Sequence, residues 1–281
     1  MAVDTFNGLM TMVNPQFFVA NLCTPVGVVG AVPIQYGAHF LRLQLSGTAN
    51  NGSLPITAAT EVATPNTAGV IPDKSSQVNM FAVKNASGGR KNYLLDMMIL
   101  VVGATAGSHF IFADLLWYNG GFNGTVITEQ TCSPSALTRP DANGVGAQIA
   151  LICHTALGST IRDCTVKYTN SDGTTGRTST VTLPASFGAG KSLMVPLAYP
   201  DKGVRAIESV LLSGSTQTAG NFGVCIFRPI TQFTGFQGTF STLRSMGPLS
   251  GGMPEIPADA CLTMFMANDR ETMVFIKTAE G

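Results

Sequence analysis

Residues 164–183 read CTVKYTNSDGTTGRTSTVTL, and this stretch predicts a β-hairpin more clearly than any other part of the chain. Apolar and polar residues alternate on both arms, as in strands with one buried face. The inward positions are Cys164, Val166, Tyr168, Val181 and Leu183. Asp172-Gly173 favours the positive φ angles of a chain reversal. The Ser- and Thr-rich tip is therefore expected to project from the body of the protein.

The rest of the chain also has the sequence pattern of short β-strands separated by turns. Runs of β-branched and aromatic residues bounded by Gly, Asn, Asp and Ser recur roughly every 10 to 15 residues, and helical periodicity is almost absent. Residues 38–45 alternate and predict a strand with one buried face. Residues 93–102 and 109–118 are more continuously apolar and predict strands covered on both faces. We therefore expect an all-β protein of one or two β-sandwich domains, jelly-roll-like in style.

Two stretches of the sequence resemble each other. Leu95–Asp114 aligns with Ile207–Phe227 once one residue is inserted in the loop, so that Asp96 matches Glu208 and Ile111 matches Val224. The copies are about 112 residues apart, close to the length of one sandwich domain. This predicts two related units, in which the matched acids pair with Arg90 or Arg205.

The segments between the predicted strands suggest a domain plan. Residues 46–75 and 241–260 contain long irregular stretches, which either order on contact with another chain, stay disordered or pack on the protein's own body. Residues 1–35 suit an arm or an extended edge segment better than a central strand. The predicted plan is an N-terminal arm at 1–35, sandwich units at 36–135 and 136–240, and a C-terminal arm with a closing hairpin at 241–281.

Composition excludes several functions. Sixteen basic and sixteen acidic residues cancel, so nothing attracts a nucleic-acid backbone, and the apolar runs are far too short to span a bilayer. Asp4 stands where a secretion signal carries Lys or Arg, so we expect no secretion. Charged residues make up only 11% of the chain, and mean hydropathy is +0.26. Such a surface favours a protein whose exterior is covered by partners, although an ordinary Ser- and Thr-rich sandwich is the alternative.

The residues with potential chemistry do not form a recognisable motif. The six cysteines are not spaced as metal ligands and lie mostly in apolar runs, so we expect reduced core thiols. The histidines, His39, His109 and His154, are expected to be structural. Gly188–Ser192 imitates the end of a phosphate loop but lacks its first glycine. We therefore expect no enzyme activity, no metal and no cofactor, although a carboxylate pair for glycoside hydrolysis stays open among Asp96, Asp114, Asp163, Glu208 and Glu255.

Aromatic and apolar side chains are the best candidates for contacts with other subunits. Trp and Tyr supply much of the binding energy at protein interfaces. Trp117-Tyr118, followed by a Gly- and Asn-rich stretch, forms either an interface anchor or sugar-binding shelf, or part of the protein's own core. The full candidate interface comprises Phe17, Phe18, Trp117, Tyr118, Phe122, Met253 and Ile256.

In these general features the chain resembles the virion structural proteins of tailed bacteriophages, particularly capsid-associated β-sandwich or jelly-roll proteins. The resemblance rests on low charge, on hairpins such as YTNSDGTTGRTSTVTL, on the strand pair SVLLSGSTQTAGNFGVCIFRP and on the long uncharged arms. It implies a minor capsid, decoration or cement protein that self-associates and binds the major capsid protein or other virion subunits. Its location would be the virion, assembled in the host cytoplasm. A neck, tail or receptor-binding component and a glycan-binding or glycan-hydrolysing sandwich are the alternatives.

Overall fold

The computed structural model describes residues 13–22, 36–40, 69–73, 83, 85–102, 108–132, 135–139, 141–235, 240–244, 254–266 and 271–280. Within these ranges every regular element is a β-strand and none is a helix, so the predicted all-β class is confirmed. A search of the same ranges for a helix capable of crossing a membrane finds none.

The described residues form fifteen strands, numbered in chain order. They are β1 (Val13–Leu22), β2 (Tyr36–Phe40), β3 (Asn92–Val102), β4 (Ser108–Phe122), β5 (Gln130–Thr131), β6 (Gln148–Thr155), β7 (Arg162–Asn170), β8 (Arg177–Leu183), β9 (Lys191–Val195), β10 (Val204–Leu212), β11 (Asn221–Gly235), β12 (Phe240–Arg244), β13 (Glu255–Ile256), β14 (Leu262–Met266) and β15 (Glu271–Glu280).

The strands form a closed barrel and two flanking sheets. The barrel has six strands in the order β11-β4-β14-β2-β9-β6. One flanking sheet has the order β1-β15-β3-β12, with β13 also paired to β3, and the other has the order β5-β10-β7-β8. All the ladders are antiparallel. The barrel takes strands from 36–135, 136–240 and 241–281, so hydrogen bonding crosses both predicted boundaries.

Three apolar clusters hold these layers together. The barrel interior contains residues such as Leu115 and Phe227. A second cluster joins the barrel to the sheet of β5, β7, β8 and β10, with Trp117 among its members. A third joins the barrel to the opposite sheet through Phe110 and Phe112. The strand predicted at 109–118 is therefore covered on both faces, because one face lines the barrel and the other packs on a sheet.

The hairpin predicted from residues 164–183 is confirmed as β7 and β8. Gly173 has a φ of 84° at the reversal. The Asn170 side chain shapes the turn, since its Oδ1 accepts the backbone N–H groups of Asp172 at 3.1 Å and Thr174 at 2.8 Å. Cys164, Val166 and Tyr168 are fully buried, and residues 172–176 are exposed, as expected.

The predicted repeat corresponds to β3–β4 and β10–β11. In each copy the first strand belongs to a flanking sheet and the second to the barrel. The predicted match of Ile111 with Val224 is wrong by one position. Ile111 lies inside the barrel, whereas Val224 packs against a flanking sheet. Phe112, which packs outward, is the structural match of Val224.

Several local predictions are corrected. The two C-terminal strands exist, but β14 pairs with β2 and β4 while β15 pairs with β1 and β3, so they do not form a closing hairpin. Residues 13–22 form the edge strand β1, which confirms the edge alternative for that part of 1–35. Glu208 contacts Lys167 and Thr169 rather than Arg205. The Asp96 side chain, Leu41–Leu45 and most of 46–75 lie outside the described residues.

Candidate functional site

Four of the predicted interface residues lie inside the protein. Trp117 and Ile256 are 1% exposed, and Tyr118 and Phe122 are fully buried. The sequence around Trp117 is apolar on both faces of β4, so each side chain there meets either the barrel interior or a flanking sheet. An anchor for another subunit must reach the surface, and these four side chains instead stabilise the core of this chain.

The remaining predicted interface residues are only partly located. Phe17 and Phe18 belong to the edge strand β1, where they are registered with Lys277 and Ile276 of β15. Their side chains and the whole of Met253 lie outside the described residues. A role for these three residues in binding another subunit stays a prediction.

The residues with potential chemistry are also part of the fold. Five cysteines, at 132, 153, 164, 225 and 261, are buried free thiols, which confirms the prediction for them, and Cys23 lies outside the described residues. Burial raises the pKa of Cys132 to about 12. His154 bonds to the Tyr118 hydroxyl, and burial lowers its pKa to about 4. Gly188–Ser192 leads into strand β9 rather than a helix, unlike a phosphate loop.

A buried ion pair lies beside the barrel. Arg139 approaches the carboxylate of Asp114 at 3.0 Å and donates to the Leu115 carbonyl at 2.8 Å. Asp114 Oδ1 also accepts the backbone N–H of Cys261 at 2.8 Å. Burial raises the pKa of Asp114 to about 6, although Arg139 and the Cys261 N–H act in the opposite direction. Desolvation of the carboxylate outweighs its pairing here.

Two cavities open next to this ion pair. One of about 620 Å³ is lined by Arg139 and Glu255 among others, and one of about 330 Å³ is lined by Asp114 and Glu255. The smaller cavity therefore brings together two of the five carboxylates considered for glycoside hydrolysis. Asp114 is fully buried and engaged by Arg139, and Glu255 pairs with Lys91 at 2.6 Å. A general acid must reach the glycosidic oxygen, and Asp114 is held away from solvent.

In the described residues, the sheet formed by β5, β10, β7 and β8 ends at β8. Strand β8 is the last strand on that side, so one row of its backbone groups has no strand beside it among the described residues. Its side chains alternate, with Thr178, Thr180 and Thr182 exposed. The strand carries one charged residue, Arg177. Natural edge strands are usually protected by charge, proline or bulges, and these devices are scarce in β8.

A polar network fixes β8 against the body of the protein. Arg177 Nε donates to Asp201 at 2.9 Å, the Tyr168 hydroxyl donates to the same carboxylate at 2.6 Å, and Asn170 donates to it at 2.8 Å. Burial opposes the charge of Asp201, but these three hydrogen bonds outweigh it and lower the pKa of Asp201 to about 2. The only charge of β8 is thereby held by its own chain.

The outer face beside this edge is rich in hydroxyl groups. Thr165 and Thr180 bond to each other across β7 and β8 at 2.9 Å, and the Thr182 hydroxyl donates to Asp163 at 2.7 Å. Lys167 lies 3.7 Å from Glu129 and 3.9 Å from Glu208. Lys167 is therefore paired with carboxylates of its own chain. The face and edge β8 together offer hydroxyl and backbone groups for contact with protein.

Comparisons with known proteins give little further information. No protein-family model matches the chain, and no curated protein matches it. Among solved structures, the VP2 subviral particle of infectious bursal disease virus aligns with 96% of this chain and 80% of its own, at 8% identity and a TM-score of 0.18. The structure of the Gx strain of that virus aligns with 96% and 81%, at 10% identity and a TM-score of 0.21. Similarity this weak carries no argument about fold or function.

Proposed function

We propose that this chain is a non-enzymatic structural subunit of a virion that assembles through its open edge β8 and the hydroxyl-rich face beside it. Among virions we propose a tailed bacteriophage, with the chain acting as a minor capsid, decoration or cement protein. Its partners would be the major capsid protein, other virion subunits and further copies of itself. Assembly would take place in the host cytoplasm.

The observation that carries this proposal is the weak protection of β8. A strand whose outer backbone groups have no strand beside them in the described structure, and which carries exposed threonines and a single internally paired charge, is a ready template for another strand. A protein that must stay monomeric would be expected to block such an edge. A subunit that completes its surface on assembly has no need to block it.

Composition and packing support the same proposal. With 11% charged residues, the chain has little charge to keep it apart from other molecules. The three-layer packing of barrel and sheets supplies a rigid body. Many small contacts between rigid subunits become strong together, because each contact raises the effective concentration for the next.

The proposal is tested by Thr180→Lys, which places a charge on the exposed side of the edge strand. The matched control is Thr175→Lys, which adds the same charge in the exposed β7–β8 turn outside the strand. We expect Thr180→Lys to weaken self-association or particle binding about tenfold, a change of about 1.4 kcal/mol, and the control to change it little. Sedimentation velocity and co-sedimentation with particles measure both.

A wild-type protein that is monomeric at all concentrations and absent from purified particles would contradict the proposal. Equal effects of the two variants would contradict the role of β8. Turnover of a cell-surface glycan by the wild type would favour the hydrolase alternative instead, with Asp114 and Glu255 as the residues to substitute first.

A further inference from the structure

The order in which strands pair in the barrel and in the two sheets stays the same when the strand labels are exchanged by one rule. Exchanging β4 with β11, β6 with β14 and β2 with β9 leaves the cyclic order of the barrel the same. The same rule, continued as β1 with β8, β3 with β10, β5 with β12 and β7 with β15, converts the order β1-β15-β3-β12 into β8-β7-β10-β5. That is the order of the other flanking sheet. The two sheets therefore occupy equivalent places on the barrel.

The residue register follows this exchange. Asn92 and Val204, the first residues of β3 and β10, are 112 positions apart (204 − 92). In the barrel, Leu115 of β4 is paired with Phe227 of β11, and these residues are also 112 positions apart (227 − 115). Leu115 and Phe227 are therefore at equivalent positions of the two copies and are also directly paired neighbours in the barrel. A two-fold axis that relates the copies must pass through this residue pair.

The opposite side of the barrel shows the same property. Tyr36 pairs with Ser192, and Gly37 pairs with Lys191, where β2 meets β9. Exchanging Tyr36 with Lys191 and Gly37 with Ser192 converts each pair into the other. The β2–β9 junction lies three strands from the β4–β11 junction in a barrel of six. The approximate two-fold axis therefore crosses the barrel through both junctions.

Burial agrees position by position in the flanking sheets. The last residues of β7 and β15 pair with the first residues of β10 and β3, as Asn170 with Val204 and Glu280 with Asn92. Alternate residues before those ends point inward in both sheets. The buried sets are Val166, Tyr168 and Asn170 in β7, and Ile276, Thr278 and Glu280 in β15.

Even the short strand β13 has a counterpart. It pairs Glu255 with Tyr93 at the start of β3. At the start of β10, the isolated bridge between Val145 and Gly203 continues the equivalent ladder, and the N–H of Val204 donates to the Gly144 carbonyl at 3.2 Å. The similarity of the two copies therefore extends beyond the strands of the barrel.

We infer that the chain is a fused pair of interleaved copies of one seven-stranded unit, with strands β1–β7 in the first half and β8–β15 in the second, where the short strand β13 is additional. Each half is the binding partner of the other. All strand ladders in the described structure join a strand of one half to a strand of the other. The halves are residues 13–170 and 177–280, which differ from the units 36–135 and 136–240 predicted from the sequence.

This arrangement makes each half dependent on the other. A half by itself has none of the ladders seen in the described structure, so the backbone groups of its strands would lack their partners, and the apolar faces would lack cover. The inference does not depend on the proposed virion role. It predicts that the β7–β8 turn is only a tether between two partners.

The test uses the full chain with a protease recognition site inserted between Thr174 and Thr175, in the exposed turn. Cleavage of the folded protein should leave a stable one-to-one complex. Its melting temperature should then rise with protein concentration more steeply than that of the uncut variant, because folding of the cut protein has become bimolecular. After separation in denaturant, fragments 1–174 and 175–281 should each show no cooperative unfolding, and mixing them should restore it.

A matched control places the same site between Gln217 and Thr218, in an exposed loop within the second half. Its larger fragment, 1–217, contains all four strands of the sheet β5-β10-β7-β8, so it should retain measurable β-structure by circular dichroism. If the inserted site prevents folding, co-expression of 1–174 with a tagged 175–281 replaces it, and co-purification at one to one is expected.

Cooperative unfolding of either half alone would overturn the inference, and so would failure of the halves to combine. A protein that recombines from its halves but never enters a particle would support the fused pair and contradict the proposed function.

Discussion

The ion pairs Arg139–Asp114 and Arg177–Asp201 have the same chemistry, yet the pKa values of their two carboxyl groups are shifted in opposite directions. Beside the barrel, burial raises the pKa of Asp114 to about 6 despite its arginine. At the open edge, three side-chain hydrogen bonds lower the pKa of Asp201 to about 2. Asp114 accepts from Arg139 and one backbone N–H, in a place fully removed from water.

A neighbouring arginine therefore does not by itself decide whether the charged form of a buried carboxyl group is favoured. The balance between lost hydration and gained hydrogen bonds decides it. The first pair joins segments that are distant in sequence and constrains which of them pack together. The second orients an edge strand while leaving its outer side open.

The largest effect is expected from Arg139→Met, which leaves Asp114 buried without its charge partner. We expect a loss of about 3–5 kcal/mol in unfolding free energy at pH 7, measured by urea denaturation. The loss should be smaller at pH 5, because the variant can then bind a proton on Asp114. Arg205→Met, at an exposed position, is the control and should change stability by about 0.5 kcal/mol or less. A smaller loss of unfolding free energy in Arg139→Met than in Arg205→Met would contradict a stabilising role for the buried pair.

The two carboxyl groups should respond to pH in opposite directions. The folded protein holds a proton on Asp114 more tightly than the unfolded chain does, so this group's contribution to stability falls as pH rises from about 4 to about 6. Comparing the pH dependence of unfolding free energy in the wild type and in Asp114→Asn isolates this contribution, which should be on the order of 2–3 kcal/mol. Identical pH profiles for the two proteins would refute the assignment.

A smaller effect is expected from Asp201→Asn at the open edge. The variant replaces a charged acceptor of three hydrogen bonds with an amide, and we expect a loss of about 1 kcal/mol, limited by solvent around Arg177. In the wild type, the favourable contribution of Asp201 should be lost as pH falls from about 4 to about 2, since its folded pKa is lowered. Unfolding curves of the wild type and of Asp201→Asn at pH 2, 3 and 7 would measure the loss of stability and its pH dependence. A stabilising contribution of Asp201 that increases as pH falls would contradict the lowered pKa.

The smallest effect on stability is expected from Thr180→Lys. Thr180 is exposed and its hydroxyl contacts only Thr165 in the described structure, so the unfolding free energy should change by about 0.5 kcal/mol or less. Its effect on assembly should nevertheless be the strongest of these variants. A large loss of stability would mean that the edge strand is part of the core rather than a contact surface.

Local patterns predicted many of the elements but few of their partners. The hairpin of 164–183 was predictable, because its alternation and its Asp-Gly turn act over a few residues. The pair of Asp114 and Arg139 was not predicted, because the residues that hold Asp114 are 25 and 147 positions away in sequence. A signal was present nonetheless, since an aspartate inside the apolar run HFIFADLLWY requires a buried partner.

The repeat was visible in the sequence only in part. The likeness of residues 95–114 to residues 207–227 identifies two equivalent strand pairs, but it does not indicate where each half begins and ends. Alternation of side chains shows which face of a strand is apolar. It does not show whether that face meets a strand from the same half or from the other half.

Local sequence patterns were enough to predict that this protein is built of β-strands, that one hairpin reverses near Asp172, and that the described cysteines are core thiols. These properties follow from short-range sterics and hydrophobic patterning. Long-range packing is needed to show that the halves interleave, that Trp117 is buried and that β8 has no further strand beside it among the described residues. Backbone pairing between distant strands depends on the whole set of competing partners, which no local stretch of sequence contains.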